Sequence, residues 1–107
     1  MIDDNKILSC VFHNEDVLFF SFMPFVNDGG LFVHTQHTYE LGTLVTLSIA
    51  LFDESDLSIV EGKVIWITPK GAQGNKPAGV GVQFIGENKR QVYYKITQRL
   101  SEKLKEL

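Results

Sequence analysis

The chain has one cysteine, three prolines and no arginine before Arg90. Each scarcity excludes something. A lone Cys10 cannot close an internal disulfide, so the fold must hold without one and a reducing compartment suits it. No apolar run approaches the roughly 18 residues of a membrane-spanning helix. The longest runs, Val17–Phe20 and Ile49–Phe52, are strand-sized. The start, Met1-Ile2-Asp3-Asp4, is acidic where an export signal is basic and then apolar. A cytoplasmic bacterial protein with no membrane insertion is expected. At 107 residues the chain has the length of one domain, residues 1–107.

Potential chemistry is equally thin. His34 and His37 are spaced H-x-x-H, but a strand end and a loop do not bring them together as a helix would. No cysteine or acid cluster completes a zinc set. Cys10 lies inside an apolar stretch with no base beside it, which suits a small core residue better than a nucleophile. Asp53, Glu54 and Asp56 lack the spacing of a calcium loop and read as a solvated turn. Gly71–Lys76 resembles a phosphate loop only superficially, because Asn75 separates Gly74 from Lys76 and Pro77 follows. No catalytic, cofactor or metal site is expected, and the chain is not read as an enzyme.

What is present points to strands. Hydrophobic residues make up 44% of the chain and include eight Phe, a residue that favours sheets. Six segments read as strands: Lys6–Phe12, Val17–Val26 (which Pro24 must end or push to an edge), Leu31–Thr35, Thr43–Phe52, Leu57–Thr68 and Gly79–Phe84. Asn14-Glu15-Asp16 and Asn27-Asp28-Gly29-Gly30 read as turns. In the fourth segment Val45, Leu47, Ile49 and Leu51 alternate with smaller or more polar residues. In the fifth, Trp66 shares its face with Val60, Gly62 and Val64, which leaves both core and surface roles open to it.

From about Asn88 the period changes. Val92, Ile96, Leu100 and Leu104 recur every four residues, as on one face of a helix that packs on the barrel. Asn88 with Gln91 resembles a capping box. The expected fold is all-β, a small six-stranded antiparallel barrel over about 6–85 with a C-terminal helix over about 88–106. Charge is unevenly placed: residues 1–61 carry a net −9 and residues 62–107 a net +6. The two parts either attract each other in the fold or steer a charged partner. The bases lie in a helix interleaved with apolar residues, without the aromatic platform of a single-strand binder, so no nucleic-acid partner is expected.

Three segments, in order, are Met23-Pro24-Phe25-Val26-Asn27-Asp28-Gly29-Gly30-Leu31-Phe32-Val33-His34-Thr35, then Gly62-Lys63-Val64-Ile65-Trp66-Ile67-Thr68-Pro69, then Gly71–Asn75 leading to Gly79-Val80-Gly81-Val82-Gln83-Phe84. Together they resemble the PilZ family over about residues 6–100, and more narrowly its founding branch, which supports type IV pilus assembly. The resemblance implies a six-stranded barrel with a C-terminal helix. Most members bind cyclic di-GMP through R-x-x-x-R ahead of the barrel and [D/N]-x-S-x-x-G on it, with arginines pairing phosphates and stacking on guanines. This chain has no arginine for the first motif. In the second it has Phe25 for Asp or Asn and Asn27 for Ser, and keeps only Gly30.

The founding branch also lacks the ligand motif. The resemblance therefore implies a non-catalytic, monomeric adaptor for pilus biogenesis and twitching motility. Its partners would be the pilus extension ATPase and a degenerate GGDEF/EAL regulator, a cyclic di-GMP phosphodiesterase-like protein that does the sensing. A cyclic di-GMP receptor with a degenerate site is the alternative. Candidate partner-binding residues form three patches, since interfaces favour aromatic, Met and Arg anchors. The first is Met23, Pro24 and Phe25, beside Phe22. The second is Trp66, Pro69, Gln73 and Asn75. The third is Tyr93 and Tyr94, with Arg90 and Arg99.

Charge-assisted hydrogen bonds contribute about 1.5–3 kcal/mol each. Losing two weakens ligand binding by about a hundredfold to ten-thousandfold. Titration of the isotope-labelled protein with cyclic di-GMP is therefore expected to leave the amide spectrum unmoved, whereas saturable shifts at Asn27–Gly30 would contradict the lost-motif argument.

Overall fold

The computed structural model describes residues 6–69, 71 and 77–106. Five of the six expected strands are present: β1 (Ile7–Val11), β2 (Gly30–His34), β3 (Leu44–Ala50), β4 (Ser58–Thr68) and β5 (Gly79–Ile85). Three helices accompany them: α1 (Glu15–Ser21), α2 (Lys89–Arg99) and α3 (Ser101–Leu104). The strands form one curled sheet in the order β1-β3-β4-β5-β2. The antiparallel six-stranded barrel is thus corrected to a five-stranded mixed half-barrel, in which β1 runs parallel to β3 with Ile7 opposite Thr46 and Val11 opposite Ala50.

The missing strand is α1. Asn14 is extended, and its side-chain oxygen accepts the Val17 N–H at 2.9 Å. That capping bond satisfies one donor of the first turn, while Glu15 and Asp16 sit at the positive end of the helix dipole. The helix ends at Ser21, with Phe22 as its extended C-cap two residues before Pro24, so the turn cluster and the start of the apolar segment are one capped helix. The segment 12–29 carries the chain from one sheet edge, β1, to the other, β2, and buries Phe12, Leu18 and Phe22 on the way.

The core lies on the concave side. Leu8, Cys10, Leu31, Val33, Val45, Leu47, Ile49, Val60, Val64, Val80, Val82 and Phe84 fill it from the strands. The alternation read for β3 holds: Val45, Leu47 and Ile49 are buried. Val92, Ile96 and Leu100 close the core from the helix as expected, and Leu104 packs partly against it. Each fully buried side chain of this size contributes about 1.5–3 kcal/mol. The single long helix is corrected to two, because the chain departs from helical geometry at Leu100. The capping box is also absent. Asn88 makes no side-chain cap and instead donates to the Ile59 carbonyl at 3.0 Å, tying the start of α2 to β4.

The charge asymmetry is spent largely inside the fold. Arg99 meets Asp53 and Glu54 at 2.7 Å each, Lys95 meets Glu54 at 3.3 Å, Lys89 meets Asp28 at 3.2 Å and Lys103 meets Asp16 at 2.7 Å. Every one of these pairs joins a base of the C-terminal helices to an acid of the first half. Arg99 is the best sheltered, with 17% of its side chain exposed against 25% for Glu54. It also donates to the Lys95 carbonyl at 2.9 Å.

Three outcomes follow from this packing. Arg99→Gln is expected to lower unfolding stability by about 1–2 kcal/mol in urea titrations, since it removes partly sheltered pairs. Lys105→Gln, at a fully solvated pair, should stay within about 0.5 kcal/mol. Burial pushes the Cys10 thiol up to about 12. Its thiolate at pH 8 is therefore about a thousandfold scarcer than that of an unperturbed thiol. Alkylation by iodoacetamide should be slower by that order in the native protein and reach the free-thiol rate in denaturant.

Candidate functional site: an apolar outer face

The convex face of the sheet is assembled around one irregularity. Val64 pairs with Val82, but Trp66 pairs with Gly81, so β4 has one residue more than β5 at Ile65. Such a bulge inverts the alternation beyond it. Val60, Gly62 and Val64 point into the core, whereas Trp66 turns outward and is 59% exposed. Its indole Nε1–H donates to the Thr68 hydroxyl at 2.9 Å, two residues on along the same face. The structure thus gives Trp66 the surface role.

Gly81 makes the opposite half of this surface. A Cβ there would lie 2.9 Å from Trp66 Cβ and 3.3 Å from Met23 Sδ. Glycine lets the Trp66 Cβ and the Met23 thioether approach β5 closely. Gly30 serves likewise, since a Cβ would come within 3.0 Å of Met23 Cε and 2.5 Å of the Val82 carbonyl. Gly30 therefore has a packing reason to be glycine that is independent of any ligand motif.

Met23, Phe25, Val26, Phe32, Ile65 and Trp66 line the resulting groove of about 320 Å³. Every one of these side chains is apolar or aromatic. Phe25 stands at its lip, 84% exposed. The same ring lines a cleft of about 530 Å³ with Arg90, Tyr93 and Tyr94, and a smaller hollow of about 180 Å³ with Phe19, Phe22 and Leu104. Phe22, by contrast, is in the core and packs its ring against Tyr93 at 6.0 Å between centroids.

The turn that presents Phe25 is held firmly. Val26 N–H donates to the Met23 carbonyl at 3.3 Å and Gly29 N–H to the Val26 carbonyl at 2.8 Å. Phe84 N–H reaches the Gly29 carbonyl at 3.0 Å, and Gln83 Nε2 donates to the Asn27 carbonyl at 2.9 Å. Asp28 takes a positive φ of 67° to close the turn.

The structure regroups the candidate patches. Met23, Pro24 and Phe25 adjoin Trp66 on one side and Tyr93 and Tyr94 on the other. Pro69 lies apart, on a small hollow with Tyr39 and Ala78. Gln73 and Asn75 fall outside the described residues. Arg99 is occupied with the acidic turn. Of the degenerate motif positions, Phe25 and Asn27 are exposed while Gly30 is buried.

Phe32 was not singled out from the sequence, although the signal was there. Leu31 and Val33 point inward, so Phe32 must share the outer face with Gly30 and His34. Among the described residues no three His, Cys, Asp or Glu side chains gather as a metal site would need, and no helix is long and apolar enough to cross a membrane.

The model of the PilZ domain matches residues 5–102. No curated protein matches the chain. Domains of this family bind cyclic di-GMP or act as adaptors, and are generally non-catalytic binding modules. A match over almost the whole length, on a curled β-sheet closed by a C-terminal helix, places this chain in the PilZ domain family.

Proposed function

We propose that this chain is a non-catalytic adaptor of type IV pilus assembly that docks on the pilus extension ATPase through the outer face built by Met23, Phe25, Phe32 and Trp66. A degenerate GGDEF/EAL regulator is the further partner in this reading. The single observation that carries it is Phe25. At the place where a nucleotide-binding relative has an Asp or Asn, this chain has a phenyl ring that is 84% exposed on a firmly held turn.

The surroundings support the same reading. A dianionic nucleotide needs guanidinium partners, and the groove around Trp66 contains none. An exposed Phe beside an exposed Trp and a methionine is the composition of an interface core, where such anchors dominate the binding energy. An apolar contact has replaced a charged one at the same place on the fold.

Phe25→Ala and Trp66→Ala should each weaken binding to the purified extension ATPase by about tenfold or more. Because both rings stand largely in solvent, thermal midpoints should stay within about 2 °C of the parent. The native tryptophan gives an independent signal, since its emission should shift to the blue as the ATPase covers the indole. Unchanged affinity, or a loss of binding matched by a loss of stability, would overturn the assignment.

A further inference from the structure

The bases of α2, α3 and the cap that follows them are Lys89, Arg90, Lys95, Arg99, Lys103 and Lys105. Five of them meet a carboxylate within the protein. Arg90 is the exception: among the described residues its guanidinium has neither an ion pair nor a hydrogen bond. It stands on the wall of the cleft of about 530 Å³, facing the Phe25 turn.

We infer that this cleft receives a partner-protein segment in which a carboxylate lies close to a bulky apolar side chain, the carboxylate pairing with Arg90 and the apolar group seating between Phe25 and Tyr94. The inference rests on the reading of the chain as a protein-binding module and names the chemistry of a second contact beside the Trp66 groove.

Charge selects the ligand. The cleft contains one acid, Asp28, and Lys89 already neutralises it at 3.2 Å. What remains is a single positive charge, which a monoanionic carboxylate matches through two parallel N–H···O bonds. A phosphate or a cyclic dinucleotide carries more negative charge than one guanidinium balances.

The walls select the neighbouring group. Tyr94 is 61% exposed, and its hydroxyl oxygen accepts from Gln98 Nε2 at 2.9 Å, which leaves its own O–H to donate to the bound segment. Tyr93 is fixed by its packing on Phe22. Phe25 and Val26 give the opposing wall its apolar character. Aromatic rings opposed across a cleft, with one cation beside them, suit a short acidic-aromatic or acidic-aliphatic sequence.

The test is selection of a phage-displayed library of random dodecapeptides against the full chain. The enriched peptides are then synthesised and titrated against the parent, Arg90→Gln and Trp66→Ala. Enriched sequences should carry Asp or Glu within a few residues of Phe, Trp, Leu or Met. They should bind Arg90→Gln about tenfold more weakly, bind Trp66→Ala as they bind the parent, and shift the amides of Val26, Asp28, Tyr93 and Tyr94. The Arg90 guanidinium makes no ion pair or hydrogen bond among the described residues, so its replacement should leave the amide spectrum otherwise intact.

Enrichment of acid-free peptides, equal binding to Arg90→Gln, or failure to select any binding peptide would overturn the inference. So would saturable shifts at the same amides with cyclic di-GMP, which would make the cleft a nucleotide site. Peptides that bind Arg90→Gln normally and fail on Trp66→Ala would overturn this cleft while leaving the adaptor reading in place. Failure of the parent chain to bind the extension ATPase would overturn that reading without touching this one.

Discussion

One additional residue in β4, Ile65, decides which way Trp66 points, and the outer face is arranged around that indole. In a regular strand Trp66 would follow Val60, Gly62 and Val64 into the core. The bulge sends the ring to the convex side, where Gly81 lacks the Cβ that would obstruct it and Met23 lies alongside. Three local features therefore act as one: a bulge on β4, a glycine opposite it on β5, and a turn from α1 that brings Met23 and Phe25 across.

The second constraint is closure. A five-stranded half-barrel leaves its concave side open, and α1, α2 and α3 must cover it. The apolar stripe of the C-terminal helix does most of this, and the ion pairs from Lys89, Lys95, Arg99 and Lys103 hold it over the acidic loops and α1. Exposed pairs of this kind add little energy singly, but they fix where the helix lies. That in turn sets Tyr93, Tyr94 and Arg90 against the Phe25 turn. The same pairing gives every other base from Lys89 onward a carboxylate partner and leaves Arg90 facing one cleft without one among the described residues.

Much of this was legible in the sequence. Period-two alternation marked β3 and most of β4, and a four-residue repeat marked the face of α2 that is buried. The family pattern around Gly30, Trp66 and Gly81 pointed to a mostly β PilZ-type domain, though not to its five-stranded mixed sheet, and the loss of the ligand motif at Phe25 and Asn27 was plain. Three features were not legible, each for a physical reason. Val17-Leu18-Phe19-Phe20 is a continuous apolar run with no period, so only its Asn14 cap and acidic first turn distinguish it from a strand. The parallel pairing of β1 with β3 is a long-range choice that no local pattern encodes. The bulge at Ile65 changes the facing of Trp66 without changing any composition. The isolation of Arg90 emerges only when the other bases from Lys89 onward have been given their partners.

The central claim is that the convex face around Trp66 and Phe25 is where this chain meets its partner. The most direct test is a cross-saturation NMR footprint of the labelled protein bound to the unlabelled extension ATPase. The account expects the signals of Met23, Phe25, Phe32 and the Trp66 indole to lose intensity together, with the β1–β3 side unaffected. A footprint on Ile7, Val11, Leu44 and Ile59, with the Trp66 indole untouched, would contradict it.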